Sequence, residues 1–312
     1  MMNEMMSRKT IQFQSEGITC EGDLYLPGNF SPAGHHPALV IGHGFTVART
    51  SLVEEGRLFA ESGYVTLAID YRHFGTSGGM PRGRLWPLNE TEDFKSAIDW
   101  LEAQPGIDGR RIGIWGTSFG GAIVTHVAAH DIRVKACVAQ APILDGSYWF
   151  RSLNREADYL AIRKYLIEAR RKRFAGGADV SMPLGKLPAD GFTPMPPDPQ
   201  MIEDVANWYA KTGDPLMHSA SELTIESLER VAEFDTVRAA AKIAPRAYAI
   251  VQLTGHDVYH PQVPIQEAYK LAGEPKRMFS IPIDQLDCYK PHGRAKTIGA
   301  AIEFFDTHLK SQ

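Results

Sequence analysis

The chain has 312 residues, 44 % of them hydrophobic, which supplies a sizeable core and excludes an intrinsically disordered chain. Its 33 Lys and Arg against 37 Asp and Glu leave a net charge of −4, so there is no basic footprint for nucleic acid. Three widely spaced cysteines, Cys20, Cys137 and Cys288, fit neither a disulfide framework nor a zinc site and point to a reducing compartment.

Residues Met1 to Thr10 carry Glu4, Arg8 and Lys9 and lead into no apolar h-region, so no signal peptide is predicted. No apolar run approaches the roughly 18 residues that span a bilayer. The expectation is a cytoplasmic protein without membrane or nucleic-acid partners. Lys9 to Ser15 and Ile18 to Pro27 alternate in polarity around the turn Glu16-Gly17 and predict an antiparallel hairpin. Four short apolar runs follow, Ala38–Gly42, Val65–Ile69, Ile112–Trp115 and Val134–Val138, with the texture of central parallel strands buried on both faces. Between them, Asn89 to Gln104 reads as a helix. Phe94, Ala97, Ile98 and Leu101 form its apolar stripe, and Asn89 with Glu92 has the spacing of a capping box.

From about residue 145 to 243 the pattern changes. Arg155 to Arg173 is helical and charged, and six prolines fall between Pro183 and Pro199. The run Arg170-Arg171-Lys172-Arg173 reads as a solvated helix end rather than an anion site. Two further strands, Ala247–Leu253 and Arg277–Ile281, and a C-terminal helix striped by Ile298, Ile302, Phe305 and Leu309 resume the earlier alternation. The prediction is an α/β fold with a mostly parallel sheet flanked by helices. Its core is 1–144 with 244–312, and 145–243 is an inserted helical cap.

The strand Ile112–Trp115 runs into Gly116-Thr117-Ser118-Phe119-Gly120-Gly121 and then a helix, which is G-x-S-x-G in a strand–turn–helix context. The glycines permit a sharp turn that lifts the Ser118 hydroxyl above the sheet, and the Phe119 amide opens a helix where an oxyanion would be stabilised. Upstream, the strand Ala38–Gly42 ends in His43-Gly44-Phe45. The Phe45 amide is the expected second oxyanion donor, and His43 is read as a brace for that loop.

These segments, with Asp70-Tyr71-Arg72-His73-Phe74-Gly75-Thr76-Ser77-Gly78-Gly79, together resemble the α/β-hydrolase superfamily, in the branch of dienelactone-hydrolase-like, acetylxylan-esterase-like and polyketide-pathway hydrolases. The resemblance implies an eight-stranded sheet, a helical cap and a triad in the order serine, acid, histidine. It assigns the acid to Asp257, in Gly255-His256-Asp257-Val258-Tyr259-His260. At the place of the family histidine this chain has Gln285, followed by Leu286-Asp287-Cys288-Tyr289 in register. A carboxamide can hold a hydroxyl, a water or a carbonyl but takes no proton near neutral pH.

His292 is therefore the candidate substitute base. His256 and His260, beside Asp257, read as surface or loop-bracing residues that could approach the site; His73, His126 and His130 read as structural. Asp284 would serve as a base only if burial raised its pKa. Tyr148-Trp149-Phe150 opens the cap and Trp208-Tyr209 recurs in it, so Tyr148 and Trp149 are candidate contacts for a bulky hydrophobic small-molecule substrate. No metal or organic cofactor is expected, and a homodimer is compatible with the sequence. Three readings stay open: a serine-type acyl hydrolase of an ester, thioester or lactone with an atypical triad; a non-hydrolytic enzyme of secondary metabolism using the oxyanion pocket; and a silent binding protein.

Overall fold

The computed structural model describes residues 7–177, 181–183, 195–196, 198–213, 216, 220 and 222–310. In chain order the first half contains β1 (Ser7–Ser15), β2 (Ile18–Leu26), β3 (His36–Gly42), α1 (Val53–Glu61), β4 (Val65–Ile69), α2 (Pro87–Glu102), β5 (Ile107–Thr117), α3 (Phe119–His130) and β6 (Val134–Gln140). There follow α4 (Gly146–Leu153), α5 (Glu156–Phe174), β7 (Ser181–Pro183), α6 (Pro199–Thr212), β8 (Glu222–Thr224) and α7 (Ile225–Ala232). The chain then returns through β9 (Ala247–Leu253), α8 (Gln262–Leu271), β10 (Lys276–Ile281) and α9 (Pro291–Phe305).

One eight-stranded sheet has the order β1-β2-β4-β3-β5-β6-β9-β10. The hairpin β1–β2 joins β4 antiparallel, and every later pair is parallel. The apolar runs are central because both of their faces are covered. Along β3, Val40 packs on one side with Phe94 of α2 and Ile123 of α3, while Leu39 and Ile41 pack on the other with Phe59 of α1 and Phe304 of α9. On that second face Phe59 meets Trp115 and Phe305 edge-on, with ring centres 6.0 Å apart in both cases. Each such fully buried side chain contributes on the order of 1.5–3 kcal/mol of hydrophobic stabilisation.

The stripe Phe94, Ala97, Ile98 and Leu101 is buried as its spacing requires. The capping box expected at Asn89 and Glu92 is absent, however. Pro87 occupies the first helical position, where its missing amide costs nothing, so α2 starts two residues earlier and Asn89 lies inside the first turn. Much of the proline-rich stretch 183–199 lies outside the described residues. Among those described between β6 and β9, α6 packs Met201, Val205 and Trp208 against Leu253, Ile283 and Leu286. That contact brings the start of α6 to the loops that follow β9 and β10, on the carboxyl edge of the sheet where β5 also ends. No helix among the described residues is long and apolar enough to cross a membrane.

Candidate active site

Ser118 sits between β5 and α3 with φ 56° and ψ −123°, a conformation that costs a non-glycine residue on the order of 1–3 kcal/mol. The surrounding backbone holds it there. Ser118 donates its amide to the Gln140 carbonyl at 2.8 Å, and its own carbonyl accepts from Gly121 at 2.9 Å and Ile143 at 3.1 Å. A side chain on Gly120 would strike the His43 carbonyl, and one on Gly44 would lie 3.0 Å from Ser118 Cβ and 3.5 Å from its Oγ. The loop after β3 thus runs directly alongside the serine. Within it, His43 donates Nδ1–H to the Gly44 carbonyl at 3.0 Å. Burial lowers the His43 pKa against the opposing pull of Asp70, so its ring stays neutral and braces the turn.

The loop after β9 faces Ser118. His260 Nε2 lies 3.0 Å from Ser118 Oγ, and His260 Nδ1 lies 2.9 Å from both carboxylate oxygens of Asp257. Asp257 Oδ1 also accepts the backbone amides of Tyr259 at 3.1 Å and His260 at 3.0 Å. Both side chains are buried, with 7 % exposure for His260 and 2 % for Asp257. A carboxylate acceptor at Nδ1 favours the tautomer with its proton there, which leaves the Nε2 lone pair directed at the serine hydroxyl. In this arrangement the imidazole can take the serine proton, and the carboxylate can stabilise the resulting cation.

The X-Pro dipeptidyl-peptidase (S15) family matches residues 16–155. The quorum-quenching protein AidA of Acinetobacter baumannii is 39 % identical over 137 residues, 44 % of each chain. A thiohydrolase of Aspergillus aculeatus is 32 % identical over 148 residues, 47 % of this chain and 45 % of the relative. The chain spans about half the length of the curated relatives it matches at such identities. A polyketide transferase of Stachybotrys chlorohalonatus is 26 % identical over 321 residues, 98 % of this chain and 99 % of that one. Among solved structures, a hypothetical protein of Pseudomonas aeruginosa superposes with a TM-score of 0.82 at 26 % identity, covering 97 % of this chain and 94 % of the other. The α/β hydrolase GrgF of Penicillium superposes with a TM-score of 0.79 at 21 % identity, covering 97 % and 99 %. The chain has the α/β-hydrolase fold.

Within this fold, the expected acid and nucleophile come together, but the expected occupants of the histidine's role do not join them. Gln285 is buried, and both ends of its carboxamide bond to groups other than Ser118. Its Oε1 accepts the Val258 amide at 3.1 Å and its Nε2 donates to Asp198 at 3.0 Å. His292 is exposed in the first turn of α9, and no hydrogen bond among the described residues joins it to Ser118. Asp284 accepts the His256 amide at 2.7 Å and Gln200 Nε2 at 3.4 Å, which occupies it as a loop anchor. The imidazole at Ser118 is that of His260, which reads from the sequence as a surface or loop-bracing residue able to approach the site. A histidine three residues beyond an aspartate on one loop reads as a local partner, and it is one; the same ring also spans to Ser118.

Phe119 is the first residue of α3, and Phe45 follows the glycine that packs on Ser118, so both amides border the serine. Tyr148 is 38 % exposed, whereas Trp149 has no accessible surface and stands behind Phe45, their ring centres 5.2 Å apart. The exposed face of that pair is therefore Phe45, and Trp149 supports it rather than facing solvent. His126 is half-buried on α3 against the ring of Phe234, and burial first, then His130, lowers its pKa to about 4. Asp198, just ahead of α6, escaped the sequence reading because nothing marks it within a proline-rich stretch.

Proposed function

We propose that this α/β-hydrolase-fold enzyme performs serine-dependent acyl transfer on an ester, thioester or lactone of a bulky hydrophobic carbonyl compound. Ser118 Oγ bonds to the carbonyl carbon as its proton passes to His260 Nε2. The oxygen that becomes negative accepts hydrogen bonds from the Phe45 and Phe119 amides. Collapse returns the proton from His260 to the departing oxygen or sulfur, and Asp257 stabilises the imidazolium in between. Water, or a second nucleophile, then takes the acyl group by the same steps in reverse.

The observation that carries this reading is the single imidazole spanning Ser118 Oγ and Asp257 at 3.0 and 2.9 Å. So aligned a ring favours acyl transfer over the non-hydrolytic and binding readings, neither of which needs it. Phe45, backed by Trp149, would form the apolar wall for the substrate, and the inserted helices between β6 and β9 would act as its cap. The names of two relatives, a thiohydrolase and a polyketide transferase, support a thioester or polyketide-like carbonyl as substrate class.

A fluorophosphonate probe, with p-nitrophenyl esters and acyl thioesters of graded chain length, tests the proposal. The wild-type chain is expected to be labelled and to turn over, and Ser118→Ala to lose both. A wild-type chain inert to the probe and to every ester and thioester would sink it.

A further inference from the structure

The position that resemblance reserves for the histidine is filled by a side chain with two well-defined bonds. Gln285 uses one end of its carboxamide on the loop that bears Asp257 and His260, through the Val258 amide. It uses the other end on Asp198, at the entry to α6. Asp198 is itself buried, its side chain 9 % exposed, and it also accepts from His256 Nε2 at 3.1 Å. Its backbone amide donates to the Tyr259 hydroxyl at 3.1 Å, and that hydroxyl donates to the Pro196 carbonyl at 2.9 Å. Tyr259 is the residue before His260. The inserted segment therefore grips the Asp257–His260 loop from outside, while Gln285 grips it from below and links the two.

We propose that Gln285 and Asp198 are a positioning pair, which holds His260 in register with Ser118 only while the start of α6 is docked against the loop. The inference rests on the acyl-transfer reading for its catalytic meaning. The chemistry is specific to a carboxamide facing a carboxylate. Position 285 must accept one hydrogen bond, from Val258, and donate another, to Asp198; an aliphatic residue takes a partner from the Val258 amide and one from the Asp198 carboxylate, whose side chain is only 9 % exposed. A glutamate there keeps the acceptor but sets two carboxylates against each other. Misplacing the imidazole by about 1 Å is enough to cost on the order of a hundredfold in rate.

The test uses the full chain and an exchange of partners, assayed near pH 8 so that carboxylates are charged. Gln285→Glu is expected to lower kcat about 30- to 100-fold with a small change in KM, and Asp198→Asn to lower it only about threefold. The double variant Gln285→Glu/Asp198→Asn restores a donor facing an acceptor and is expected to recover kcat to within about threefold of wild type. A role in stability alone predicts unchanged kcat in all three variants, and either that result or a double variant as slow as Gln285→Glu alone overturns the proposal. Amide hydrogen exchange of the 254–261 segment gives a readout that needs no substrate. It is expected to quicken about tenfold or more in Gln285→Glu and to return in the double variant. Unchanged exchange in Gln285→Glu overturns the pair even if the wild-type chain proves inert, so this failure is separable from failure of the acyl-transfer reading.

Discussion

Around Ser118 the chain has almost no conformational choice. The turn is wedged between the ends of β3 and β6, Gly120 leaves no room for a side chain and Gly44 only a tight one, and the strained backbone of the serine is fixed by three main-chain hydrogen bonds. Around His260 the constraint is of another kind. Asp257 gathers its own loop by accepting two backbone amides and the imidazole, and the loop is then tied to its neighbours through Gln285, Asp198 and Tyr259. Backbone sterics set the proposed nucleophile, whereas polar side chains set the proposed base. The first arrangement leaves little space for added atoms; the second can be altered by exchanging one polar group for another.

The sharpest way to break this comparison is to remove the base. His260→Ala is expected to lower kcat/KM for a p-nitrophenyl ester by about three to four powers of ten while leaving the fold intact by circular dichroism. A loss under tenfold would return the search for a base to its beginning. Gly44→Ala probes the steric side. Its methyl would sit 3.0 Å from Ser118 Cβ, tighter than ordinary contact, so kcat/KM is expected to drop about 10- to 100-fold with little change in Tm. Phe45→Ala should reduce the preference for long over short acyl chains about tenfold, measured as the ratio of kcat/KM values across the ester series.

Smaller effects come from histidines outside the relay. His126 has its pKa lowered in the folded state, so the unfolded chain binds its proton first as pH falls. Its contribution is therefore neutral above its ordinary value and becomes destabilising between about pH 6.5 and about pH 4. The fall in Tm across that window is expected to be shallower in His126→Gln than in wild type, and parallel curves would refute it. His292→Ala, on the exposed first turn of α9, should leave kcat/KM within about twofold.

The sheet was legible from residues alone because apolar runs such as Val65–Ile69 and Ala247–Leu253 are bounded by polar turns and have no amphipathic alternative; both strands begin and end where those runs do. The elbow was legible because G-x-S-x-G between a strand run and a helix is a local pattern, although the contact that requires Gly120 comes from the distant His43 carbonyl. The start of α2 was misjudged because Asn89 and Glu92 carry a capping pattern that Pro87 overrides from upstream. The imidazole beside Ser118 is not legible in the sequence because its place depends on distance through space. His260 and Ser118 are 142 positions apart in the chain, and a register argument about Gln285 says nothing about which ring reaches the hydroxyl. Asp198 was invisible because a buried carboxylate acquires meaning only from the neighbours that donate to it.

Asp257 and His260 belong to one four-residue turn. Proton acceptor and orienting anion therefore travel together, so a shift of this turn keeps their mutual alignment and changes only their joint distance to the alcohol. For anyone wishing to transplant the chemistry to another scaffold, that makes the tetrapeptide Asp257-Val258-Tyr259-His260 a single movable cassette, needing one new anchorage where a dispersed relay would need two.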